Sequence, residues 1–444
     1  MRSIVEIFRD NHWVPAAEIN PVGKGPYTAT FEYQMDYVFG QNPLPVSLLL
    51  PVNADRHGLN EDGEAPLCPP FLLDLVPQGR GRKYLATELA LDDGEHRDLL
   101  MAQYGAFNPV GNLRLNTAVQ FYQERAAQQL GENEQGFTLE SILARQEEFL
   151  DHIWIHAMLT AGTTCVQGAA PKFLLTQNVE KRWFADAALP DDQATKHWLV
   201  KLPRGSHETD YAVLRNEIAY LRVAERCGIR TGGDPQFHQN MLFVQRFDRI
   251  VDQNGLHRLH QESLASLAGL HAFGLTVSLF DLVAAFRRHV TDPVGETVEF
   301  IKRDILNMAM RNTDNHARNT AVQRLPNGTV QLTPIFDFAP MYMDRELITR
   351  GCKWRVGKGP ELTDWEEIIN RLGFPDAEKQ TITEQIKAFK AIVERLAEIM
   401  HACGVETKII DDCKPNIEAQ AVRLQRIGTY NNPIAPKVSH GPTP

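Results

Sequence analysis

The sequence predicts a mixed α+β fold, and three stretches of the chain carry that prediction. Residues 1–110 look β-rich, because residues 27–33 alternate apolar and polar side chains and residues 46–51 form an apolar run. Residues 161–250 predict strand, strand, helix and strand in that order, which is the order of a protein-kinase N-lobe. After Gln261 the chain predicts helices. We therefore expect a bilobal, protein-kinase-like fold with a β-rich N-terminal subdomain.

Composition argues against several classes of protein. The chain has 444 residues and 43% hydrophobic content, so about two or three domains are expected. The net charge of −10 disfavours general electrostatic binding to nucleic acid. The six cysteines include no CxxC pair, which argues against a zinc ribbon and predicts free thiols in a reducing compartment. No secretory signal or run of membrane-spanning length is visible, so we expect a cytoplasmic protein without membrane contact.

The sequence divides into four expected parts. They are a β-rich N-terminal subdomain (1–137), an N-lobe with phosphate loop and hinge (138–255), a helical C-lobe with the catalytic loop (256–428), and a Pro-rich, disordered tail (429–444). A helix is expected over 138–160 with Thr138 as N-cap, and another over 209–227, stopped by Gly228. Thr363 and Glu366 have the spacing of a capping box.

Three polar residues near the middle of the C-lobe have the spacing of a phosphoryl-transfer site. Asp314 and Asn319 are separated as in the kinase catalytic loop, where the Asp receives the substrate hydroxyl proton and the Asn holds magnesium. Asp337 ends an apolar run, where a kinase has its second metal-binding Asp. Asn327-Gly328 favours a two-residue type I′ hairpin, which would bring Asn319 and Asp337 side by side. The alternative is a polar loop and an ordinary hairpin, since Asp and Asn are common in turns.

Further candidates lie upstream in the order of a kinase N-lobe. Lys201 stands in an apolar strand, where a lysine is costly unless it meets an anion, and Glu217 on the next helix is a candidate partner. The alternative is that Lys201 points outward from an edge strand. The small-residue loop 165–172 permits close approach to phosphate, although it lacks GxGxxG. Residues 245–247 end a strand that is either a hinge for adenine or a plain core strand. His316 either orients the loop or makes a structural hydrogen bond.

Together these residues resemble the HipA-type serine/threonine kinases, the toxins of bacterial toxin–antitoxin modules. The resemblance covers most of the chain. It rests on these segments: 46–51, 69–79, 166–172, 199–203, 216–217, 243–249, 260–262, 312–319 and 332–337.

The resemblance implies ATP and Mg²⁺ as cofactors, an all-helical C-lobe, and a role for each matching residue. Asp314 would be the catalytic base, and Asn319 and Asp337 would be the metal ligands. Lys201 would be the lysine that contacts the ATP phosphates, with Glu217 as its partner in the nucleotide site. The implied nucleotide contacts are Gln167, Gly168, Ala169, Ala170, Pro171 and Lys172 over the phosphates, Gln245, Arg246 and Phe247 at adenine, and His316 and Phe336 at the border. The implied partners are a protein substrate such as an aminoacyl-tRNA synthetase and a small helix-turn-helix antitoxin, through which alone DNA would be contacted.

Cys165 departs from the family pattern, because the family has its self-inactivating phosphoserine there. Thr163 and Thr164 are adjacent, so we expect either no inactivating autophosphorylation or modification of one of these threonines. The sequence leaves two other functions open. One is a non-catalytic ATP-binding subunit of a DNA-bound repressor complex, and the other is a small-molecule or lipid kinase on the same scaffold.

Overall fold

Five antiparallel strands form the first sheet of the computed structural model, which describes residues 2–22, 27–57, 67–92, 94–129, 135–144, 172–186 and 188–429. The strands are β1 (Ser3–Arg9), β2 (His12–Pro21), β3 (Ala29–Tyr33), β4 (Arg56–His57) and β5 (Leu113–Leu115), in the order β4-β3-β2-β1-β5. In β1, buried Val5 and Ile7 alternate with half-buried Ile4 and Glu6, as the two faces of a strand require.

Helices complete this N-terminal subdomain. They are α1 (Met35–Val38), α2 (Phe71–Asp74), α3 (Gly79–Glu88), α4 (Asp98–Gly105) and α5 (Asn116–Gln129), with a 3₁₀ helix at Glu95–Arg97. Sequence reasoning found the sheet but not these helices, whose apolar faces are short. The apolar run 46–51 forms turns instead of a strand, and it buries Val46 and Leu50 in the subdomain core.

In the described part of the N-lobe, a second five-stranded sheet packs against a long helix. Its strands are β6 (Lys172–Asn178), β7 (Trp183–Ala185), β8 (Ala194–Lys201), β9 (Gln236–His238) and β10 (Met241–Gln245), in the order β7-β6-β8-β10-β9. The helices are α6 (Leu139–Leu143) and α7 (Glu208–Arg226). Thr138 caps α6 as predicted, and the rest of the predicted helix 138–160 lies outside the described residues. Gly228, at a φ of 75°, follows the end of α7 as predicted.

The C-lobe is helical and carries one three-stranded sheet. Its helices are α8 (Leu264–Leu267), α9 (Leu279–Phe286), α10 (Pro293–Ala309), α11 (Trp365–Arg371), α12 (Asp376–Ala388), α13 (Lys390–Val393), α14 (Leu396–Ala402) and α15 (Thr407–Gln425), with a 3₁₀ helix at Met341–Met343. The strands are β13 (His260–Ser263), β14 (Ala321–Arg324) and β15 (Val330–Leu332); a separate pair, β11 (Arg249–Asp252) and β12 (Gly255–Arg258), precedes them.

The predicted hairpin exists as β14 and β15, but its predicted turn was wrong. Of Asn327 and Gly328, only Gly328 has a positive φ, at 85°, whereas a type I′ turn needs both. The connection is longer, because Leu325 N donates to Thr329 O at 2.8 Å. The Asn327 side chain accepts from Thr329 N at 3.0 Å, which stabilises this wider loop.

The structure leaves some sequence predictions untested. The domain boundaries at residues 137 and 255 stay predictions, and the tail from residue 430 lies outside the described residues. In the described part of the chain, no helix combines the length and the apolar character needed to cross a membrane. The described cysteines, 68, 227, 352, 403 and 413, are free thiols.

Candidate active site

Lys201 lies at the end of β8, in the middle of the N-lobe sheet, and points inward. The residue is only 4% exposed, and its Nζ contacts carboxylate oxygens of both Glu217 on α7 and Asp337. Since β8 is flanked by β6 and β10, the alternative of an outward-pointing edge lysine is wrong. A buried ammonium of this kind needs anionic partners, and the structure supplies two.

Lys172 on β6 joins this group from the neighbouring strand. It pairs in register with Lys201, and its Nζ lies 3.7 Å from Asp337 Oδ2. We call Lys172, Lys201, Glu217 and Asp337 the lysine–carboxylate cluster. Because the two ammonium groups face two carboxylates in one buried volume, the cluster can receive an anionic ligand by exchanging one set of ion pairs for another.

The pKa shifts in the cluster follow from burial and from these contacts. Burial alone would raise the pKa of Asp337, but Lys172 and Lys201 outweigh it and lower the pKa to about 2. Burial would lower the pKa of Lys201, but Asp337 and Glu217 outweigh it and raise that pKa. Asp337 is therefore a carboxylate and Lys201 an ammonium ion at neutral pH.

Residues 312–320, which we call the Asp314 loop, are held by bonds within the loop. Asn319 Nδ2 donates to the Asp314 carbonyl at 2.8 Å, and Asn319 N donates to the His316 carbonyl at 2.9 Å. His316 Nε2 lies 3.5 Å from Asp314 Oδ1. Burial raises the pKa of Asp314 and lowers the pKa of His316, because it disfavours the charged form of each group.

Asp337 connects the cluster to the Asp314 loop. Its backbone has a φ of 49°, a left-handed conformation that Asp tolerates better than most residues. Asp337, Asp314, His316 and Asn319 line one small cavity of about 40 Å³. The structure thus brings together the three side chains whose spacing predicts phosphoryl transfer, while their chemical roles stay predictions.

A larger cleft of about 310 Å³ runs from the cluster along the N-lobe sheet. Lys201, Glu217 and Asp337 line the cleft, and so do Gln245 and Phe247. Because Lys201 pairs with Leu242 on β10, Gln245 lies three positions further along that strand, about 10 Å away. Apolar side chains in the cleft wall include Leu174, Leu199, Val244 and Ile335. Charged and apolar side chains in a cleft of this size suit a ligand with a charged part and a flat apolar part.

The residues predicted to contact adenine differ in whether their side chains are available to a ligand in the cleft. The rings of Phe247 and Phe336 lie 6.0 Å apart, tilted by 32°, and both line the cleft. The Arg246 guanidinium is instead engaged in the protein interior, donating to Asp186 at 2.6 Å and to Asp248 at 2.8 Å. The Arg246 backbone N donates to the His197 carbonyl at 2.9 Å, so this residue organises the hinge through its ion pairs and its backbone.

Several cleft residues were missed by sequence reasoning. The N-terminal subdomain contributes Phe71, Asp74, Leu75 and Asn112, and the C-lobe contributes Gln261, Glu262, Ser263 and Arg318. In the sequence, the segments 69–79 and 260–262 stand out only as parts of a family resemblance. Their place in the cleft depends on contacts across the chain that no local spacing reveals.

Part of the predicted phosphate loop cannot be placed. Gln167, Gly168, Ala169, Ala170 and Pro171 lie outside the described residues, as do Thr163, Thr164 and Cys165. Lys172 is described, and it is in the lysine–carboxylate cluster.

A second groove also reaches Asp314. It has a volume of about 110 Å³, and Lys172, Asp314 and Asp337 all line it. Its other walls include Arg204, Met341, Met343, Asp344 and Ile348. Arg204 bridges the lobes at this groove, because its Nη1 donates to Asp344 at 2.7 Å.

Two family models match the chain. The family model described as HipA-like C-terminal domain matches residues 164–398, and the model described as HipA N-terminal domain matches residues 13–116. No curated protein matches the chain.

Two solved structures are similar to the chain. A chain of the Shewanella oneidensis MR-1 toxin–antitoxin complex of HipA, HipB and operator DNA superposes with a TM-score of 0.61 at 18% identity, covering 95% of this chain and 97% of that one. The Helicobacter pylori proinflammatory kinase CtkA superposes with a TM-score of 0.34 at 13% identity, covering 52% of this chain and 89% of that one. A TM-score of this size is too low to support a conclusion about the fold. Since the C-terminal family model alone matches more than half of the sequence, the chain belongs to the HipA family and has a bilobal, kinase-like α+β fold.

Proposed function

We propose that this chain is a Mg-ATP-dependent serine/threonine protein kinase that acts as the toxin of a bacterial toxin–antitoxin module. The observation that carries the proposal is the meeting of the lysine–carboxylate cluster and the Asp314 loop beside a cleft of about 310 Å³. Phosphoryl transfer depends mainly on positioning and on charge stabilisation, and both are supported by this arrangement.

The charged and apolar side chains of the cleft suit the two parts of ATP. Lys172 and Lys201 would bind the phosphates, while Gln245, Phe247 and Phe336 would border the adenine. Magnesium prefers oxygen ligands, and Mg²⁺ commonly binds one or two protein carboxylates together with phosphate oxygens of the substrate. Asn319 and Asp337 share a cavity and offer such donors, so they fit this ion. When bound, Mg²⁺ would neutralise the charge of the transferred phosphoryl group.

Asp314 stands where an acceptor hydroxyl could be deprotonated. It lines both the small cavity shared with Asn319 and Asp337 and the second groove, so it lies between the proposed metal ligands and a groove that a substrate side chain could enter. Its raised pKa brings it closer to that of an efficient general base at neutral pH. A serine or threonine of a protein substrate entering by the second groove would donate its proton to this carboxylate.

The partners follow from the family. The similar Shewanella chain was solved with HipB and operator DNA, and we propose a comparable small helix-turn-helix antitoxin for this chain. The net charge of −10 supports DNA contact only through that antitoxin. An aminoacyl-tRNA synthetase is the proposed class of substrate, on family resemblance alone.

The test is to incubate the purified protein and a cell extract with labelled ATP and Mg²⁺, and to identify the labelled products. We expect phosphoserine or phosphothreonine on protein. Label in lipids or small molecules would favour a kinase with another substrate, and ATP binding without any transfer would favour the non-catalytic subunit.

Asp314→Asn provides the matching variant. We expect it to keep the fold and ATP binding but to lower transfer by about 10²–10⁴-fold, because the amide cannot accept the hydroxyl proton. Asp411→Asn is the control, since Asp411 is exposed on α15, where it pairs with Lys414 at 2.8 Å, and it lines none of the site's cavities. Wild-type turnover in Asp314→Asn would contradict the proposal.

A further inference from the structure

Asp74 belongs to the N-terminal subdomain but is buried against the C-lobe. It ends α2, and it is 8% exposed. Its Oδ2 accepts from Ser263 N at 2.9 Å, and its Oδ1 accepts from Ser263 Oγ at 2.7 Å. The same Oδ1 contacts Arg318 Nη1. One carboxylate of the N-terminal subdomain therefore holds two separate C-lobe segments.

Arg318 is part of the Asp314 loop, directly before Asn319. Its guanidinium is buried and lies over the ring of Phe273, 4.7 Å from the centroid. A buried guanidinium needs a charged partner, and Asp74 provides it. Asp74 thus fixes the side chain next to the predicted metal ligand.

Ser263 connects Asp74 to the Asp314 loop through a second set of hydrogen bonds. It caps α8, because its Oγ accepts from Ser266 N at 3.1 Å. The first residues of α8 then bond the loop: Leu264 N donates to the Thr320 carbonyl at 2.9 Å, and Ala265 N donates to the Ala317 carbonyl at 3.1 Å. Asp74 is therefore connected to the Asp314 loop on both sides of Arg318.

We propose that Asp74 is a positioning residue, through which the N-terminal subdomain holds the Asp314 loop in the geometry needed for phosphoryl transfer. The inference rests on the proposed kinase activity. Removing the charge of Asp74 leaves Arg318 as a buried cation without this carboxylate, and the loop must shift to bring it toward water or another anion. A displacement of about 1 Å at a reacting group can lower the rate by about 10²-fold.

The main variant is Asp74→Asn, which keeps the size of the side chain and removes its charge. We expect kcat to fall by about 10–100-fold, with the KM for ATP within about twofold of wild type. Asp74 lines the cleft, but its carboxylate is engaged by Ser263 and Arg318, so its loss acts mainly on the loop. Because an unfolded fraction would also lower the apparent kcat at unchanged KM, kcat is normalised to the folded protein, measured by circular dichroism.

The matched control is Asp98→Asn. Asp98 is also a buried aspartate of the N-terminal subdomain, bonded to Arg82 at 2.5 Å and to Tyr27 at 2.8 Å, and it lies outside the residues that line the cleft. We expect this variant to lose thermal stability but to keep kcat. An equal loss of kcat in both variants, or wild-type kcat in Asp74→Asn, would overturn the proposal.

A double-mutant cycle tests whether Asp74 acts through Arg318. We expect Arg318→Gln to lower kcat, and the double variant Asp74→Asn/Arg318→Gln to be little worse than Arg318→Gln alone. Additive losses would show that the two residues act separately. If Asp74→Asn does not fold, Arg318→Gln removes the same ion pair from its other side, and it must then show the same fall in kcat at unchanged KM for ATP.

Hydrogen exchange separates failure of this inference from failure of the proposed function. The Asn319 amide, bonded to the His316 carbonyl, should exchange faster in Asp74→Asn than in wild type, with or without activity. If the wild-type protein transfers no phosphate, the proposed kinase function fails, while this exchange still reports on the loop. Unchanged exchange in a kinase-active protein would refute the positioning role alone.

Discussion

Asp337 is the residue at which the two lobes meet. Its carboxylate contacts Lys201 and lies 3.7 Å from Lys172, both on the N-lobe sheet, while the residue itself follows β15 in the C-lobe. Its left-handed φ of 49° holds the carboxylate at this junction. A backbone conformation of this kind persists only when surrounding contacts stabilise it, and the two lysines are such contacts.

This position leads to a prediction for Asp337→Ala. A carboxylate binds Mg²⁺ more strongly than the Asn319 amide, so we expect Mg-ATP affinity to fall by at least about tenfold, or about 1.4 kcal/mol, together with activity. Metal-free ATP should still bind, because Lys172 and Lys201 are then released from their carboxylate partner. Calorimetry with and without Mg²⁺ measures both affinities, and unchanged Mg-ATP binding would contradict a metal role for Asp337.

At the scale of single elements, α11 shows how a helix start is chosen. The predicted capping box at Thr363 and Glu366 was wrong by one residue: Asp364 is the N-cap, and its side chain accepts from Glu367 N at 2.8 Å. Glu366 is engaged elsewhere, since its Oε2 accepts from Gly428 N at 2.8 Å. Trp365, the first helical residue, is buried.

The cap is testable with neighbouring alanine variants. We expect Asp364→Ala to lower the free energy of unfolding by about 1 kcal/mol, because the Glu367 N–H loses its acceptor. Thr363→Ala, at an exposed position, should change it by less than about 0.5 kcal/mol. Urea unfolding of both variants gives the comparison, and a larger loss in Thr363→Ala would support a capping box at Thr363 instead.

At the scale of the whole molecule, a buried ionic network joins the N-terminal subdomain to the hinge. Arg249 Nη1 donates to the Gly111 carbonyl at 2.8 Å, and its Nη2 donates to the Pro109 carbonyl at 3.1 Å. Asp248 Oδ2 accepts from Gly111 N at 2.9 Å. Asp74 also lines the cleft and bonds Ser263 and Arg318, so the subdomain is attached at two places around the proposed nucleotide site.

We predict that Arg249→Met destabilises the protein by about 3 kcal/mol, because it leaves the Asp248 charge and two carbonyls with fewer partners in the interior. Arg56→Met is the control: Arg56 pairs with Glu32 at 3.0 Å but is half exposed, so its removal should lower the stability far less. Denaturant unfolding measures the difference. Equal stabilities for the two variants would mean that this network does not stabilise the junction.

In the C-lobe, the apolar periodicity of the sequence correctly predicted which residues are buried, but it did not predict where the helices begin and end. The apolar stripe of residues 382, 386, 389, 393, 396 and 400 is buried as expected, yet the segment is divided among α12, α13 and α14. A stripe determines which face is buried, whereas packing against neighbouring helices determines where a helix is interrupted.

By itself, the sequence determined the features whose cause is local. The Asp314–Asn319 spacing, the lysine in an apolar strand, the hairpin and the end of α7 at Gly228 depend on residues close in the chain. The tertiary structure decided the features that depend on distant partners. Lys201 meets Asp337, which is 136 positions away, and Arg318 meets Asp74, which is 244 positions away. Charges removed from water must be paired, and only the folded chain determines which of the distant carboxylates comes within reach.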